Sequence, residues 1–225
     1  MSSTRKPDPD NTGGGMPEKD TPPKRGVLFL MRKRMHAIII ANGELQGSCH
    51  LPALQKSDLV IAANGGSQHC LSLKITPDIL IGDLDSVDPD LVETWENQGV
   101  EVIRHSADKE QTDLELALLM AQDRGAENVS VYGAVGGRLD MIFGNLTLLA
   151  HPQLKIPVKL ICGDEEVYLL RQGQSLDLEG SPGDTISLLP LHPEGARVSA
   201  QGVQYALDRD QLEFGLTRGI SNQLT

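Results

Sequence analysis

Short apolar runs alternate with helix-like segments between residues 36 and 150, and this alternation constrains the fold more than any other feature. The runs cover residues 37–42, 58–64, 78–83, 100–104 and 128–134 and are predicted to be strands. Because each is almost continuously apolar, we expect both faces to be buried, as in a parallel sheet. Strands that alternate with helices predict a Rossmann-like α/β domain with a mostly parallel sheet.

Three helices are predicted between these strands. The first begins at Asp88-Pro89, because aspartate is a favoured N-cap and proline fits the first helical position, and it ends near Gly99. The second, within residues 112–125, has the capping-box pattern of Thr112 and Glu115. The third is expected from about residue 139 to residue 150, before Pro152.

The pattern changes after residue 157. Short strand-like pieces separated by Gly, Pro and Asp follow, and they predict a small antiparallel, sandwich-like β domain. We therefore divide the chain into an extension (residues 1–35), the α/β domain (residues 36–154) and the β domain (residues 155–225). The extension is expected to be disordered because its first 25 residues contain almost no apolar side chains.

Charge and cysteine content exclude several classes of protein. The formal net charge of −11 disfavours a sequence-independent nucleic-acid binder, which needs an excess of Lys and Arg. The three cysteines are far apart, which disfavours a disulfide framework or a structural zinc site. No apolar run approaches the roughly 18 residues of a membrane span, so the sequence predicts a cytoplasmic protein without a membrane partner.

Glycine, aspartate or both follow four consecutive predicted strands, at residues 64–67, 82–86, 105–113 and 133–140. Ligands of open α/β sheets bind beyond the carboxyl ends of the strands, so these segments are expected to share one site. Each segment alone is common in turns. Their concentration at one edge of the sheet is the functional signal.

The residue types in these segments suit a nucleotide polyphosphate. Carboxylates are ligands that Mg²⁺ prefers, glycines allow backbone N–H groups to approach phosphate oxygens, and cationic side chains neutralise phosphoryl charge. The candidate carboxylates are Asp83, Asp85 and Asp113, and the candidate cationic side chains are Lys109 and Arg138. The candidate glycines are Gly65, Gly66, Gly136 and Gly137.

Five ordered blocks of this chain resemble the thiamine pyrophosphokinase family. They are NGGS (64–67), PDILIGDLDSV (77–87), DKEQTDLELAL (108–118), GAVGGRLDMIFGNL (133–146) and FG…SN (214–222). The resemblance covers about residues 36 to 222. It implies an α/β domain followed by a β domain, a homodimer, and transfer of the pyrophosphoryl group from ATP to the hydroxyethyl oxygen of thiamine, which releases AMP.

The resemblance also implies roles for individual residues. Asp83, Asp85 and Asp113 would hold Mg²⁺; Lys109, Gln111 and Thr112 would lie near the nucleotide phosphates; and residues 136–140, which include Arg138 and Asp140, would line the active cleft. Ser221 and Asn222 would line a thiamine site formed across the dimer with the partner's α/β domain. The general base stays open between Asp83 and Asp140.

This chain departs from the family pattern at several positions. Asn64 stands where the family usually has aspartate, so the substrate-binding corner at Asn64, Gly65 and Gly66 has one charge fewer. Leu84 and Leu139 replace the usual aromatic residues, and this apolar exchange is expected to be tolerated. The family β domain normally continues with another strand or two, whereas this sequence ends at Thr225.

Three other interpretations remain. A related pyrophosphokinase would act on another primary alcohol such as a hydroxymethylpterin. A haloacid-dehalogenase-type phosphatase would use Asp83 of DLDSV as its nucleophile and the Gly-Asp at 163–164 as a metal motif. A nucleotide sensor without enzymatic activity would keep the fold and lose the chemistry.

Overall fold

The computed structural model describes residues 35–45, 58–106, 108 and 110–225. In this part of the chain, seven strands form one sheet in the order β4-β3-β2-β1-β5-β6-β7. Strand β7 pairs antiparallel with β6, and the other neighbouring strands pair in parallel. The strands are β1 (His36–Ile40), β2 (Leu59–Ala63), β3 (Ile79–Gly82), β4 (Glu101–Arg104), β5 (Asn128–Tyr132), β6 (Val158–Cys162) and β7 (Glu165–Tyr168). The predicted mostly parallel α/β architecture is confirmed.

Four helices lie in the described residues: α1 (Gly66–Ser72), α2 (Pro89–Asn97), α3 (Asp113–Asp123) and α4 (Leu139–Leu148). The predicted N-cap of α2 is confirmed, because Asp88 Oδ1 accepts a hydrogen bond from Asp90 N at 3.0 Å. Thr112 Oγ1 likewise accepts from Glu115 N at 3.2 Å and caps α3. Helix α1 was not predicted, because its start follows an Asn-Gly-Gly stretch that is typical of a turn.

Two layers of buried side chains lie on opposite faces of the sheet. Successive residues of a strand point to opposite faces, so Ile39 packs in the layer that contains Leu114 and Leu118 of α3, while Ile38 packs in the layer that contains Trp95 of α2. The central strands are therefore buried on both faces, as their continuous apolar sequences predicted. That prediction is wrong for β4, an edge strand whose Glu101 side is exposed and pairs with Arg124.

Strands β6 and β7 correct the expected domain boundary after residue 154. Val158 and Leu160 are buried and stand in register with Val129 and Val131 of β5, so β6 extends the parallel sheet. Strand β7 returns along β6 in antiparallel register. The prediction that a separate β domain begins at residue 155 is wrong for these two strands, because their apolar side chains complete the core of the main sheet.

The remaining strands form short antiparallel pairs. Strand β9 (Ala196–Ala200) pairs with β10 (Leu207–Leu212), and β8 (Thr185–Ile186) pairs with β11 (Asn222–Gln223). The antiparallel character predicted for this region is confirmed. One of the short strand-like pieces, residues 174–178 (QSLDL), has no regular secondary structure.

The strand order reverses direction between β1 and β5. The chain passes from β1 outward through β2, β3 and β4, and then returns to place β5 on the other side of β1. The loops that follow β1 and β5 therefore leave the sheet in opposite directions. This reversal is the position where open α/β sheets bind their ligands.

Candidate active site

An amide lies between the two aspartates of the β3 loop. Asn64 Nδ2 donates to Asp83 Oδ1 at 2.8 Å and to Asp85 Oδ1 at 3.4 Å. Asn64 has a left-handed backbone (φ 44°), which asparagine tolerates better than most residues, and its N–H donates to Ile81 O at 2.8 Å. The β2 and β3 loops are thus held together by one side chain.

Gly82 permits this close approach. A Cβ at Gly82 would lie 2.8 Å from Asn64 Cβ, and its φ of 155° is one that L side chains rarely adopt. Any larger residue at position 82 would separate the β2 loop from the β3 loop. The glycine before the Asp-x-Asp sequence is therefore a packing requirement of the site.

Hydrogen bonds favour the ionised form of Asp85. Ser86 Oγ donates to Asp85 Oδ1 at 2.7 Å, and this bond, followed by the one from Asn64, holds the pKa of Asp85 below its usual range. Asp85 is exposed, so its carboxylate is accessible to a ligand. The loop presents an ionised carboxylate to solvent at neutral pH.

The described residues contain no group of three or more His, Cys, Asp or Glu side chains arranged to hold a metal ion. Asp83, Asp85 and Asp113 therefore do not form a closed cage of three carboxylates. Asp113 begins α3, a separate element from the loop that holds the other two. Asp83 and Asp85 lie in the same loop, where Asp85 N donates to Asp83 Oδ1 at 3.3 Å.

The loop after β5 carries the predicted cation. Arg138 precedes α4 and forms a bidentate pair with Asp140, with Nε to Oδ1 at 3.2 Å and Nη2 to Oδ2 at 2.5 Å. Both side chains are exposed, at 72% and 66%. The guanidinium holds the pKa of Asp140 below its usual range, so Asp140 is a weaker proton acceptor than an ordinary aspartate.

An open cleft of about 500 Å³ lies between the start of α3 and one face of α4. Thr112 and Asp140 line it, together with Asn145 and the pair formed by Glu115 and His151. His151 Nε2 lies 3.4 Å from Glu115 Oε1, and both side chains are about one-fifth exposed. Sequence reasoning gave no ligand-binding or positioning role to Asn145, Glu115 or His151, because nothing in their local sequence indicates that α3 and α4 lie side by side.

The other residues predicted for nucleotide binding differ in their exposure to solvent. Gln111 is exposed beside the start of α3, and Lys109 lies outside the described residues. Gly65 and Gly66 are buried, and their small size is required by packing, since a Cβ at Gly66 would lie 2.0 Å from Ile40 O. Their predicted approach to phosphate has no support in this geometry.

The two residues predicted for the thiamine site differ in accessibility. Asn222 is 9% exposed, and its side chain accepts from Tyr205 N at 3.0 Å and donates to Tyr205 O at 2.8 Å. Its amide therefore holds the β domain's own backbone. Ser221 is exposed, with a left-handed backbone (φ 62°). Of this pair, Ser221 presents its side chain to solvent.

The loop after β1 is a further part of this edge. The N–H groups of Gly43 and Glu44 donate to Gly133 O and Val135 O, each at 2.7 Å, and join the β1 loop to the β5 loop. His69 Nε2 lies 2.6 Å from Gly43 O. The Asn-Gly at positions 42–43, directly after a predicted strand, was the sequence signal that would have indicated this loop.

Comparison with known proteins gives a consistent result. Residues 51–162 match the family model described as thiamin pyrophosphokinase, catalytic domain, and residues 174–225 match thiamin pyrophosphokinase, vitamin B1 binding domain. Thiamine pyrophosphokinase 1 of Oryza sativa subsp. japonica is 29% identical over 67% of this chain and 60% of its own length. Thiamine pyrophosphokinase of Bacillus subtilis is 29% identical over 74% of this chain and 78% of its own length.

Solved structures agree. The structure of thiamine pyrophosphokinase from Bacillus subtilis has a TM-score of 0.72 and 25% identity, covering 85% of this chain and 90% of that one. Thiamin pyrophosphokinase from Candida albicans has the same fold, with a TM-score of 0.61 over 84% of this chain and 83% of that one, at 18% identity. The chain spans about three fifths of the length of the curated plant relatives it matches. No helix among the described residues is long and apolar enough to cross a membrane.

Proposed function

Because the chain belongs to the thiamin pyrophosphokinase family, we propose that it transfers the pyrophosphoryl group of ATP to the hydroxyethyl oxygen of thiamine. The products are thiamine diphosphate and AMP. The observation that carries this proposal is the pair Asp83 and Asp85, presented by the β3 loop at the same sheet edge as the glycine-rich loop and Arg138. A carboxylate pair, a glycine-rich loop and a guanidinium match the needs of a nucleotide polyphosphate.

We propose that Asp83 and Asp85 hold Mg²⁺, with Asp113 as the third family ligand. When bound, Mg²⁺ would neutralise phosphate charge and polarise the phosphoryl group. Asn64 stands against both carboxylates and relieves their repulsion while no cation is bound. The two carboxylates can therefore stay close together before Mg²⁺ arrives with the nucleotide.

The chain's own residues would orient the reactants. The thiamine oxygen forms a bond to the β-phosphorus, and the bond between the β-phosphorus and the oxygen that leaves with AMP breaks in line with it. Arg138 would exchange Asp140 for phosphate oxygens, while Lys109, Gln111 and Thr112 would lie along the nucleotide. Catalysis of this kind depends mostly on positioning and charge stabilisation. The general base stays open between Asp83 and Asp140.

The direct test is to incubate the protein with ATP, Mg²⁺ and thiamine and to identify the products by mass spectrometry. Thiamine diphosphate and AMP in equal amounts would support the proposal. Formation of a pterin diphosphate from a hydroxymethylpterin, without turnover of thiamine, would assign the related pyrophosphokinase. Phosphate release from small phosphoesters without ATP would assign the phosphatase, and nucleotide binding without any product would assign the sensor.

Two aspartate variants separate the main proposal from the phosphatase. Asp85→Asn is expected to lower turnover about a hundredfold or more, because it removes a metal ligand, while folding is kept since the side chain is exposed. Asp164→Asn changes an exposed carboxylate in the turn between β6 and β7 and serves as the matched control. The kinase proposal expects Asp164→Asn to be fully active, whereas the phosphatase interpretation expects it to be inactive.

We further propose a cytoplasmic homodimer whose active site includes the β domain of the partner. Exposed apolar side chains on the β domain support this, because soluble monomers rarely expose many large apolar residues in one region. They include Leu189, Tyr205, Phe214 and Leu216, each more than half exposed. Sedimentation analysis of the wild-type protein and of Phe214→Ser tests it: a dimer that the substitution weakens supports the proposal, and a wild-type monomer contradicts it.

A further inference from the structure

The loop at residues 133–137 has an unusual pattern of hydrogen bonding. Each of its first four carbonyl oxygens accepts a hydrogen bond from the protein. The donors to carbonyls 133, 134, 135 and 136 are, in order, Gly43 N at 2.7 Å, Asn145 Nδ2 at 2.6 Å, Glu44 N at 2.7 Å and Arg138 N at 2.7 Å. Four of the five carbonyl oxygens of the loop thus have protein donors.

The N–H groups of the loop differ from its carbonyl groups. In the described part of the chain, none of the N–H groups of residues 134–137 donates to a protein acceptor. Gly136 and Gly137 have φ values of 132° and 61°, so the backbone curves before α4 begins. Consecutive N–H groups in a curved backbone form concave sites for anions. With Arg138 next in sequence, this loop is suited to a phosphate or pyrophosphate group.

Asn145 differs from the other three donors because it is a side chain, so substitution can remove it. It lies on α4, is 8% exposed, and donates to a carbonyl of Ala134, which is itself 3% exposed. The Ala134 carbonyl and the Val135 N–H belong to one planar peptide unit and point in opposite directions. The hydrogen bond from Asn145 therefore sets the direction of the Val135 N–H.

We propose that Asn145 is a positioning residue for pyrophosphate binding: its amide holds the Ala134–Val135 peptide so that the Val135 N–H faces the anion. This inference rests on the proposed function for the identity of the anion, the pyrophosphoryl group of ATP. Asn145 would not touch the substrate. It would act by holding the backbone that contacts the substrate.

The test uses pyrophosphate itself as the probe, in buffer that contains Mg²⁺, with affinity measured by calorimetry. In Asn145→Asp the side chain keeps its size, but an ionised carboxylate repels the Ala134 carbonyl. In Asn145→Leu the donor is removed entirely. Because a buried carbonyl loses its partner, we expect pyrophosphate affinity to fall about tenfold to a hundredfold in both variants. The KM for ATP should rise, and the KM for thiamine should stay unchanged.

A pH series distinguishes positioning from a general loss of packing. The introduced carboxyl of Asn145→Asp donates again when protonated, so its affinity relative to wild type should recover as pH falls. Asn145→Leu should show no recovery. Glu115, Asp140 and His151 line the same cleft and are present in every variant, so the ratio to wild type is compared at each pH.

Ser130→Ala is the matched control. Ser130 is 3% exposed and forms a hydrogen bond with His36 at 2.9 Å, away from the loop. It should lower the melting temperature without changing pyrophosphate affinity. If the Asn145 variants also lose only stability, or if wild type does not bind pyrophosphate, the inference is refuted. If wild type binds pyrophosphate but makes no thiamine diphosphate, the proposed function fails, whereas the role of Asn145 is still decided by the variants.

Discussion

Replacing Asn64 with aspartate tests how the carboxylates of the β3 loop are held together. Asn64 Nδ2 donates to Asp83 Oδ1 at 2.8 Å and to Asp85 Oδ1 at 3.4 Å. Asn64→Asp removes this donor and places a third carboxylate against the other two. We expect a protein that is less stable without metal and that depends more strongly on Mg²⁺ for its stability.

The contact with Asp83 sets the size of the expected loss in the free energy of unfolding. A hydrogen bond to a charged group contributes about 1.5–3 kcal/mol, and two carboxylates about 4 Å apart repel by about 1–4 kcal/mol between the dielectric of water and that of a protein surface. Because the loop is partly exposed, we expect the free energy of unfolding to fall by about 2–4 kcal/mol at pH 8 without metal. For a chain of this size the melting temperature should fall by about 4–16 °C.

The pH dependence of this loss has a definite sign. Neighbouring carboxylates raise the pKa of the introduced carboxyl in the folded state. When protonated it donates to Asp83 as the amide does, so the deficit relative to wild type is small at acid pH. The deficit grows as pH rises through the raised folded-state pKa. Melting curves of both proteins across pH, with and without Mg²⁺, measure the effect.

The matched control is the double variant Asn64→Asp with Asp85→Asn. It restores an amide to the loop and keeps the same number of carboxylates as wild type. We expect it to recover much of the stability without metal. The reasoning is refuted if Asn64→Asp melts like wild type at pH 8 without metal, or if Mg²⁺ raises the melting temperature of both proteins equally.

Three further predictions concern neighbouring features. Gly136→Ala should reduce ATP-dependent turnover at least about tenfold, because its Cβ would lie 2.6–2.9 Å from atoms of the β1 loop. Gly144→Ala should keep activity, because a Cβ there would have nothing within 4 Å. It should also gain about 0.5–1 kcal/mol of helix stability in thermal melts. Arg138→Lys should lower kcat/KM for ATP about tenfold, since lysine cannot bind phosphate bidentately; an unchanged value would exclude a phosphate contact. Burial raises the pKa of the Cys70 thiol to about 12. Cys70 should therefore be alkylated at pH 8 only after unfolding, as mass spectrometry would show.

Much of the site could be predicted from sequence because its residues follow strands. An apolar run such as 78–83 identifies a buried strand, and the polar residues after it must emerge at the carboxyl edge of the sheet. Asp83, Asp85 and Arg138 were found in this way, and all three lie in loops at that edge. The capping residues Asp88 and Thr112 were also found, because a cap depends on contacts within a few residues.

Features that depend on distant contacts could not be predicted. Helix α1 begins in a sequence typical of a turn, and it forms because Cys70 is buried against the sheet. The local sequences of β6 and β7 resemble the short strand-like pieces of the β domain. The register of β6 with β5 nevertheless places them in the main sheet. The two hydrogen bonds between the amide of Asn222 and the backbone of Tyr205, 17 residues earlier in the chain, also follow from no local motif.

The sequence by itself determined the fold class, the edge of the sheet where the site lies and the family, because these follow from periodicity and from motifs of adjacent residues. Only the tertiary structure decided what Asn64 and Asn145 do. Asn64 lies 19 residues from Asp83, and Asn145 lies 11 residues from Ala134. A hydrogen bond across such a separation exists only after the strands have paired and α4 has packed against its loop.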